Sequence, residues 1–95
     1  MMRQGARQIL RTIKFRAKIN AFTYSQYAFE AMVDDFIYEE DVKRAFSTAS
    51  LLEIRGERRR GTHYVLQGYG MDEEELVLVC QLLRQRVEVV DLYRP

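Results

Sequence analysis

Several residue types are scarce in this 95-residue chain, and each scarcity excludes a class of structure or function. The only proline stands at position 95, so proline interrupts no helix or strand before the last residue. One cysteine excludes an internal disulfide, and one cysteine with one histidine leaves too few soft ligands for a zinc site. No apolar run approaches the roughly 20 residues of a membrane span, and no secretory signal is recognisable at the basic N-terminus. We therefore expect a cytoplasmic protein with no membrane contact and no cofactor.

Negative charge is also missing from the first 20 residues, although the net charge of the chain is only +1. Residues 1–20 carry six Lys or Arg and no acid, whereas residues 21–49 carry six acids and two bases. Basic clusters can follow a phosphate backbone, which favours RNA or another anionic partner. The alternatives are an ordinary solvated face and an internal match between the basic helix and acidic helices.

Apolar spacing predicts three helices before residue 50. Residues 3–17 repeat apolar side chains at three- and four-residue intervals, which is typical of a helix with one buried face. A second helix should run from Ser25 to Asp35, with Thr23 or Ser25 as its N-cap. A third should begin at Glu39, where three successive acids complement the helix dipole, and end near residue 47.

Four strands should follow, joined by separators too short for crossover helices, so that neighbours run antiparallel. They are Leu51–Arg55, Tyr64–Tyr69, Leu76–Leu82 and Val87–Tyr93. The third is apolar throughout its first half, which indicates a central strand covered on both faces, and a phase shift at Val90 indicates a β-bulge. The expected fold is thus one α+β domain (1–95), with helices in 3–47 packed on a four-stranded antiparallel sheet in 50–94. An exposed edge strand, the first or the fourth, could pair with a second copy in a homodimer or with a partner's segment.

Three segments, in this order and spacing, resemble a known bacterial family. They are Tyr24–Met32, Ile37–Val42 with Ala45, and Tyr64–Gly68 followed by the apolar strand and the ending Val89–Pro95. The family is the domain-of-unknown-function family 4258, which is similar to the RelE-like and MqsR-like toxin ribonucleases of toxin–antitoxin modules. The resemblance implies a RelE-like fold, metal-independent RNA cleavage and a cognate antitoxin as partner.

The family pattern at the second helix is matched here only in part. Ser25 and Ala28 agree with it, whereas Tyr27 stands at its histidine position and Ala31 at its arginine position. This departure favours an alternative function, that of a catalytically degenerate relative that binds protein or RNA without cleaving it.

Metal-free RNA cleavage needs a base, an acid and a cation for the phosphate. His63 is the only histidine and the first candidate for proton transfer, and Tyr27, Tyr64 and Tyr93 could present hydroxyl groups. The candidates for holding phosphate are arginines: Arg55, Arg58, Arg59, Arg60, Arg84 and Arg86. Plain packing of the tyrosines, and solvation of the histidine and arginines at hairpin ends, are the competing interpretations. Cys80, in the most apolar strand, is expected to be buried and inert.

Overall fold

The computed structural model describes residues 5–57 and 61–95, and within them the chain forms three helices and five strands. The helices are α1 (Gly5–Lys18), α2 (Gln26–Asp35) and α3 (Glu39–Thr48). The strands are β1 (Phe22–Tyr24), β2 (Ser50–Glu57), β3 (Gly61–Tyr69), β4 (Glu75–Leu82) and β5 (Val87–Tyr93). None of the helices in these residues is long and apolar enough to cross a membrane.

The strands form one sheet in the order β1-β5-β4-β3-β2. The run from β2 to β5 is antiparallel, as the short separators predicted, but β1 adds to β5 in parallel. The prediction of a four-stranded, purely antiparallel sheet is therefore wrong: the sheet has five strands and is mixed. The extra strand has only three residues, too few to show an alternating pattern, and it is anchored by the Phe22 ring, whose centre lies 5.5 Å from that of Phe46.

The helices cover one face of the sheet, and their apolar stripes supply the helical side of the core. The stripe residues that are buried are Ile13, Ala17, Ala28, Met32, Val42, Ala45 and Phe46. Phe29 and Val33, two further apolar residues of α2, remain more than half exposed. Helix α3 lies close to β3, and Thr48 Oγ1 accepts a hydrogen bond from the Tyr69 amide at 2.9 Å.

Strand β4 is the central strand and is buried on both faces, as predicted. Its residues Leu76, Leu78 and Cys80 join the helical core, whereas Val77 and Val79 pack with Val65 on the opposite face. We call this opposite side of the sheet the open face. It matters because alternation along β3 also turns His63 towards it.

Two bulges break the strand pairing. In β5, Asp91 pairs with Val79 and Val89 with Cys80, which leaves Val90 as the extra residue and confirms the predicted bulge. In β2 the register shifts between Leu51 and Glu53, and Leu52 is 56% exposed.

The edges of the sheet also differ from expectation. Strand β2 is an edge strand, as predicted for the first of the four segments. Strand β5 is not, because β1 pairs with it on its outer side.

A candidate functional site on the open face of the sheet

A cleft of about 450 Å³ lies on the open face, where α2 begins beside the sheet. Strands β2 to β5 and the start of α2 all contribute to it. Its lining residues are Ser25, Tyr27, Arg55, His63, Val79, Val90 and Asp91. Its volume is within the range of ordinary small-ligand pockets.

The floor of the cleft places a cation beside the histidine. Arg55 and His63 are direct cross-strand partners in the β2–β3 pairing, so their side chains emerge on the same face. The Arg55 guanidinium also forms an ion pair with Glu53, with its Nε 3.1 Å from a carboxylate oxygen. Both side chains of this pair are about half exposed, and such surface pairs contribute roughly 0–1 kcal/mol. A bound phosphate could therefore compete for the guanidinium.

Ser25 fixes the start of α2 to the bulge of β5. Its hydroxyl accepts a hydrogen bond from the Ala28 amide at 3.0 Å, which caps the helix, and donates one to the Val90 carbonyl oxygen at 2.7 Å. The Ser25 amide in turn donates to the Val89 carbonyl oxygen at 2.9 Å. The N-terminus of α2, with its partial positive charge, is thereby held at the cleft.

Tyr27 stands in the first turn of α2 and is 68% exposed at the rim of the cleft. Its ring is therefore accessible to a ligand. Packing, the competing interpretation for this tyrosine, does not fit that exposure.

Asp91 was missed by the sequence reasoning, as were the cleft positions of Ser25, Val79 and Val90. One Asp91 carboxylate oxygen accepts a hydrogen bond from the Leu92 amide at 2.8 Å. The phase shift at Val90 was the available signal, because β-bulges often lie next to functional sites and re-aim the neighbouring side chains.

The structure thus brings together three of the residues predicted from the sequence: Tyr27, Arg55 and His63. Tyr64 lies on the other side of the sheet and packs against the helical core, so its proposed role at a shared site is not supported. Tyr93 faces the open side opposite Val77, but it does not line the cleft.

The remaining arginines lie elsewhere. Arg84 is exposed in the turn between β4 and β5, and the Arg86 Nε donates to Thr23 Oγ1 at 3.3 Å. Arg58, Arg59 and Arg60, the predicted phosphate clamp, lie outside the described residues.

Part of the basic charge of α1 has a structural role. The Arg16 guanidinium donates to the carbonyl oxygens of Leu83 at 3.0 Å and of Arg86 at 3.3 Å, which holds the β4–β5 turn against the helix. Lys14 donates to the Ser47 carbonyl oxygen at 3.2 Å. Two basic side chains of α1 therefore act within the fold, where they bind backbone carbonyl oxygens rather than acidic side chains.

Cys80 is fully buried on the core side of β4, as expected. Burial raises the pKa of its thiol, so the thiol stays protonated and unreactive. Among the described residues, no three His, Cys, Asp or Glu side chains are grouped so that they could hold a metal ion.

The architecture is that of a small α+β protein with a mixed sheet and a cleft on its uncovered side. A family model described as a domain of unknown function, DUF4258, matches residues 24–94, and the chain belongs to this family. The family predicted from the three sequence segments is thereby confirmed. The matched range contains every residue of the cleft. No curated protein and no solved structure matches the chain.

Proposed function

We propose that the open-face cleft binds RNA and cleaves it without a metal ion, as the toxin-like component of a bacterial toxin–antitoxin module. One observation carries the proposal: a single cleft is lined by a histidine, an arginine and a tyrosine, His63, Arg55 and Tyr27. These side chains can supply the base, the cation and the hydroxyl that phosphodiester transfer needs. The likeness of the family to RelE-like and MqsR-like toxins adds support, although the mixed five-stranded sheet departs from the fold expected from that likeness.

In the proposed reaction, a nitrogen of His63 accepts the proton of a ribose 2′-hydroxyl. The 2′-oxygen then bonds to the adjacent phosphorus while the bond from phosphorus to the 5′-oxygen breaks. Arg55 neutralises charge on the phosphate oxygens, and the Tyr27 hydroxyl gives its proton to the departing 5′-oxygen. The products are a 2′,3′-cyclic phosphate and a 5′-hydroxyl, and proton exchange with water restores both side chains.

The cleft would also bind the RNA strand, through Tyr27, the N-terminus of α2 and Asp91. The exposed ring of Tyr27 offers a surface on which an unpaired base can stack, which contributes roughly 1–3 kcal/mol per base. The N-terminus of α2 attracts phosphate, and the Asp91 carboxylate offers an acceptor for a ribose hydroxyl. This chemistry favours single-stranded RNA over a duplex.

The test is to incubate the purified chain with total RNA in the presence of a chelator. We expect cleavage that leaves cyclic phosphate ends, abolished in His63→Ala and strongly reduced in Arg55→Ala. Arg84→Ala is the matched control, because its side chain is exposed outside the cleft, and it should cleave as the wild type does. Intact RNA with the wild-type chain, or equal cleavage by His63→Ala, would contradict the catalytic proposal.

A second candidate is a binding module that no longer cleaves RNA. The observation that favours it is Tyr27, which occupies the family's histidine position and leaves His63 as the only histidine of the chain. RNA that remains intact but binds the wild-type chain more tightly than Tyr27→Ala would indicate this function.

A further inference from the structure

A groove of about 400 Å³ on α2 and the following turn is lined by several apolar side chains that are more than half exposed. Phe29, Val33, Phe36 and Tyr38 line it, and they are 56%, 59%, 72% and 60% exposed. We call it the α2 groove. It lies apart from the open-face cleft and shares no lining residue with it.

The backbone conformation of Phe36 is strained, and it leaves the Phe36 ring exposed to solvent. Phe36 caps α2 with a left-handed φ of 54°, a conformation that bulky residues rarely adopt. The hydrogen bond of this cap is an ordinary one, from the Phe36 amide to the Met32 carbonyl oxygen. Glycine is the usual residue at such a position, because it adopts a left-handed conformation without strain. Because the ring is 72% exposed, its burial within the chain does not offset this strain.

The helix and turn that form the α2 groove carry acidic side chains and no basic ones, and two basic side chains from outside them reach its margin. Arg94 donates to the Asp35 carbonyl oxygen at 2.8 Å, and Lys43 lies 4.0 Å from a Glu39 carboxylate oxygen. Residues 19–42 contain six acids and no Lys or Arg. Glu30 and Asp34 stand next to Phe29 and Val33 on the helix, and within the described residues neither carboxylate forms an ion pair. The groove therefore fits a partner surface that is both apolar and basic.

The outer side of α1 is such a surface. Phe15 and Ile19, the residue after the end of α1, are 60% and 55% exposed, and the Ile19 amide donates to the Phe15 carbonyl oxygen at 3.2 Å, so both lie on one continuous helical turn. Arg11 and Lys18 accompany them and, in the part of the chain that the structure describes, have no acidic partner. The two surfaces match: each presents an apolar pair at four-residue spacing beside charges, positive on α1 and negative on α2.

We propose that the chain associates with a second copy of itself, with the outer side of α1 from one copy seated in the α2 groove of the other. The contact joins unlike surfaces, so a symmetric dimer contains it twice. Apolar burial would supply the affinity, and the opposite charges would set the pairing and make association sensitive to salt. This inference does not depend on the proposed RNA chemistry.

Charge reversal gives a test in which two failing variants should rescue each other. Arg11→Glu with Lys18→Glu makes both surfaces acidic, and Glu30→Lys with Asp34→Lys makes both basic. In a mixed dimer of the two variants, the acidic α1 of one copy meets the basic α2 groove of the other, and the basic α1 meets the acidic groove. Both contacts therefore pair opposite charges again. The control is Glu75→Lys with Arg84→Glu, which alters two exposed charges away from both surfaces.

Sedimentation velocity over a range of protein and salt concentrations measures the outcome, and circular dichroism checks that each variant is folded. We expect the wild type and the control to associate, more weakly at high salt. Each charge-reversed variant alone should show a dissociation constant raised by about 100-fold, and an equimolar mixture should recover association. A wild type that stays monomeric, variants that associate as the wild type does, or a mixture of folded variants that fails to associate would each overturn the proposal.

Discussion

Replacing Gly68 by alanine should destabilise the fold more than any other single methyl addition at a described glycine. Gly68 lies in β3 directly beneath α3, and a Cβ at this position would overlap the Ala45 carbonyl oxygen. It would also lie 2.8 Å from the Ala45 carbonyl carbon and 2.9 Å from the Ala45 Cα. These are backbone atoms, so no side chain can rotate out of the way.

Relief would require α3 to move away from the sheet. Carbon atoms prefer a separation of about 3.5 Å or more, so the contact with the Ala45 carbonyl carbon alone requires a shift of roughly 0.7 Å, and the overlapping carbonyl oxygen requires a larger one. It is tied at both ends: Asp41 accepts a hydrogen bond from the Met71 amide, and Thr48 accepts one from the Tyr69 amide, each at 2.9 Å. Overpacking of a core costs about 1–3 kcal/mol, and a strained or lost hydrogen bond adds about 1 kcal/mol.

We therefore expect Gly68→Ala to lower the free energy of unfolding by about 3 kcal/mol. For a domain of this size, that corresponds to a fall in Tm of roughly 12–24 °C. Urea unfolding and thermal melts followed by circular dichroism measure both quantities.

Gly56→Ala is the matched control for this experiment. Gly56 lies in exposed strand β2, and a Cβ there meets no atom of the described chain within 4 Å. The control should change stability by no more than about 0.5 kcal/mol. If Gly68→Ala were as stable as Gly56→Ala, the close approach of α3 to β3 would be refuted.

Three other substitutions or conditions test separate parts of the structure. Ser25→Ala removes the N-cap of α2 and the hydrogen bond to Val90, so it should cost about 1–2 kcal/mol in urea unfolding, whereas exposed Ser50→Ala should cost almost nothing. Phe36→Gly relieves a left-handed φ of 54° and should raise Tm, and an unchanged or lower Tm would argue against strain there. Burial raises the pKa of Cys80 and, with a smaller effect of Glu39, that of Tyr24, so the folded chain keeps protons that the unfolded chain loses. The free energy of unfolding should therefore be at its full value below roughly pH 8 and fall at higher pH, and equal stability at pH 8 and above pH 10 would contradict this.

The helices and the long strands could be predicted because their signals repeat. Ile13 and Ala17 on α1, or Leu78 and Cys80 on β4, recur at the spacing of a helix face or a strand face. Strand β1 could not be predicted in this way, because three residues contain no repeat. Its pairing with β5 depends on residues more than 60 positions away, Phe22 opposite Val87 and Tyr24 opposite Val89.

The cleft was predictable only in its residue types. A histidine, an arginine and a tyrosine suggested phosphate chemistry, but the sequence alone made Tyr64 and Tyr93 as good candidates for the tyrosine as Tyr27. Strand register separates Tyr64, which lies on the other face of the sheet, whereas Tyr93 shares the open face but does not line the cleft. Tyr64 is one residue from His63 and therefore points to the opposite side.

The bulge at Val90 explains why position 27 faces the cleft whichever side chain it carries. The Ser25 hydroxyl binds both the Ala28 amide and the Val90 carbonyl oxygen, so the first turn of α2 is fixed relative to β5. The backbone that would aim a histidine at position 27 into the cleft is therefore present, while the histidine of this chain comes from β3 at position 63. Under the RNA proposal, the proton acceptor approaches the cleft from the sheet instead of from the helix. Tyr27→His would then supply a second imidazole at the same cleft. If the two positions serve one site, the double variant Tyr27→His with His63→Ala should cleave RNA, whereas His63→Ala alone should not.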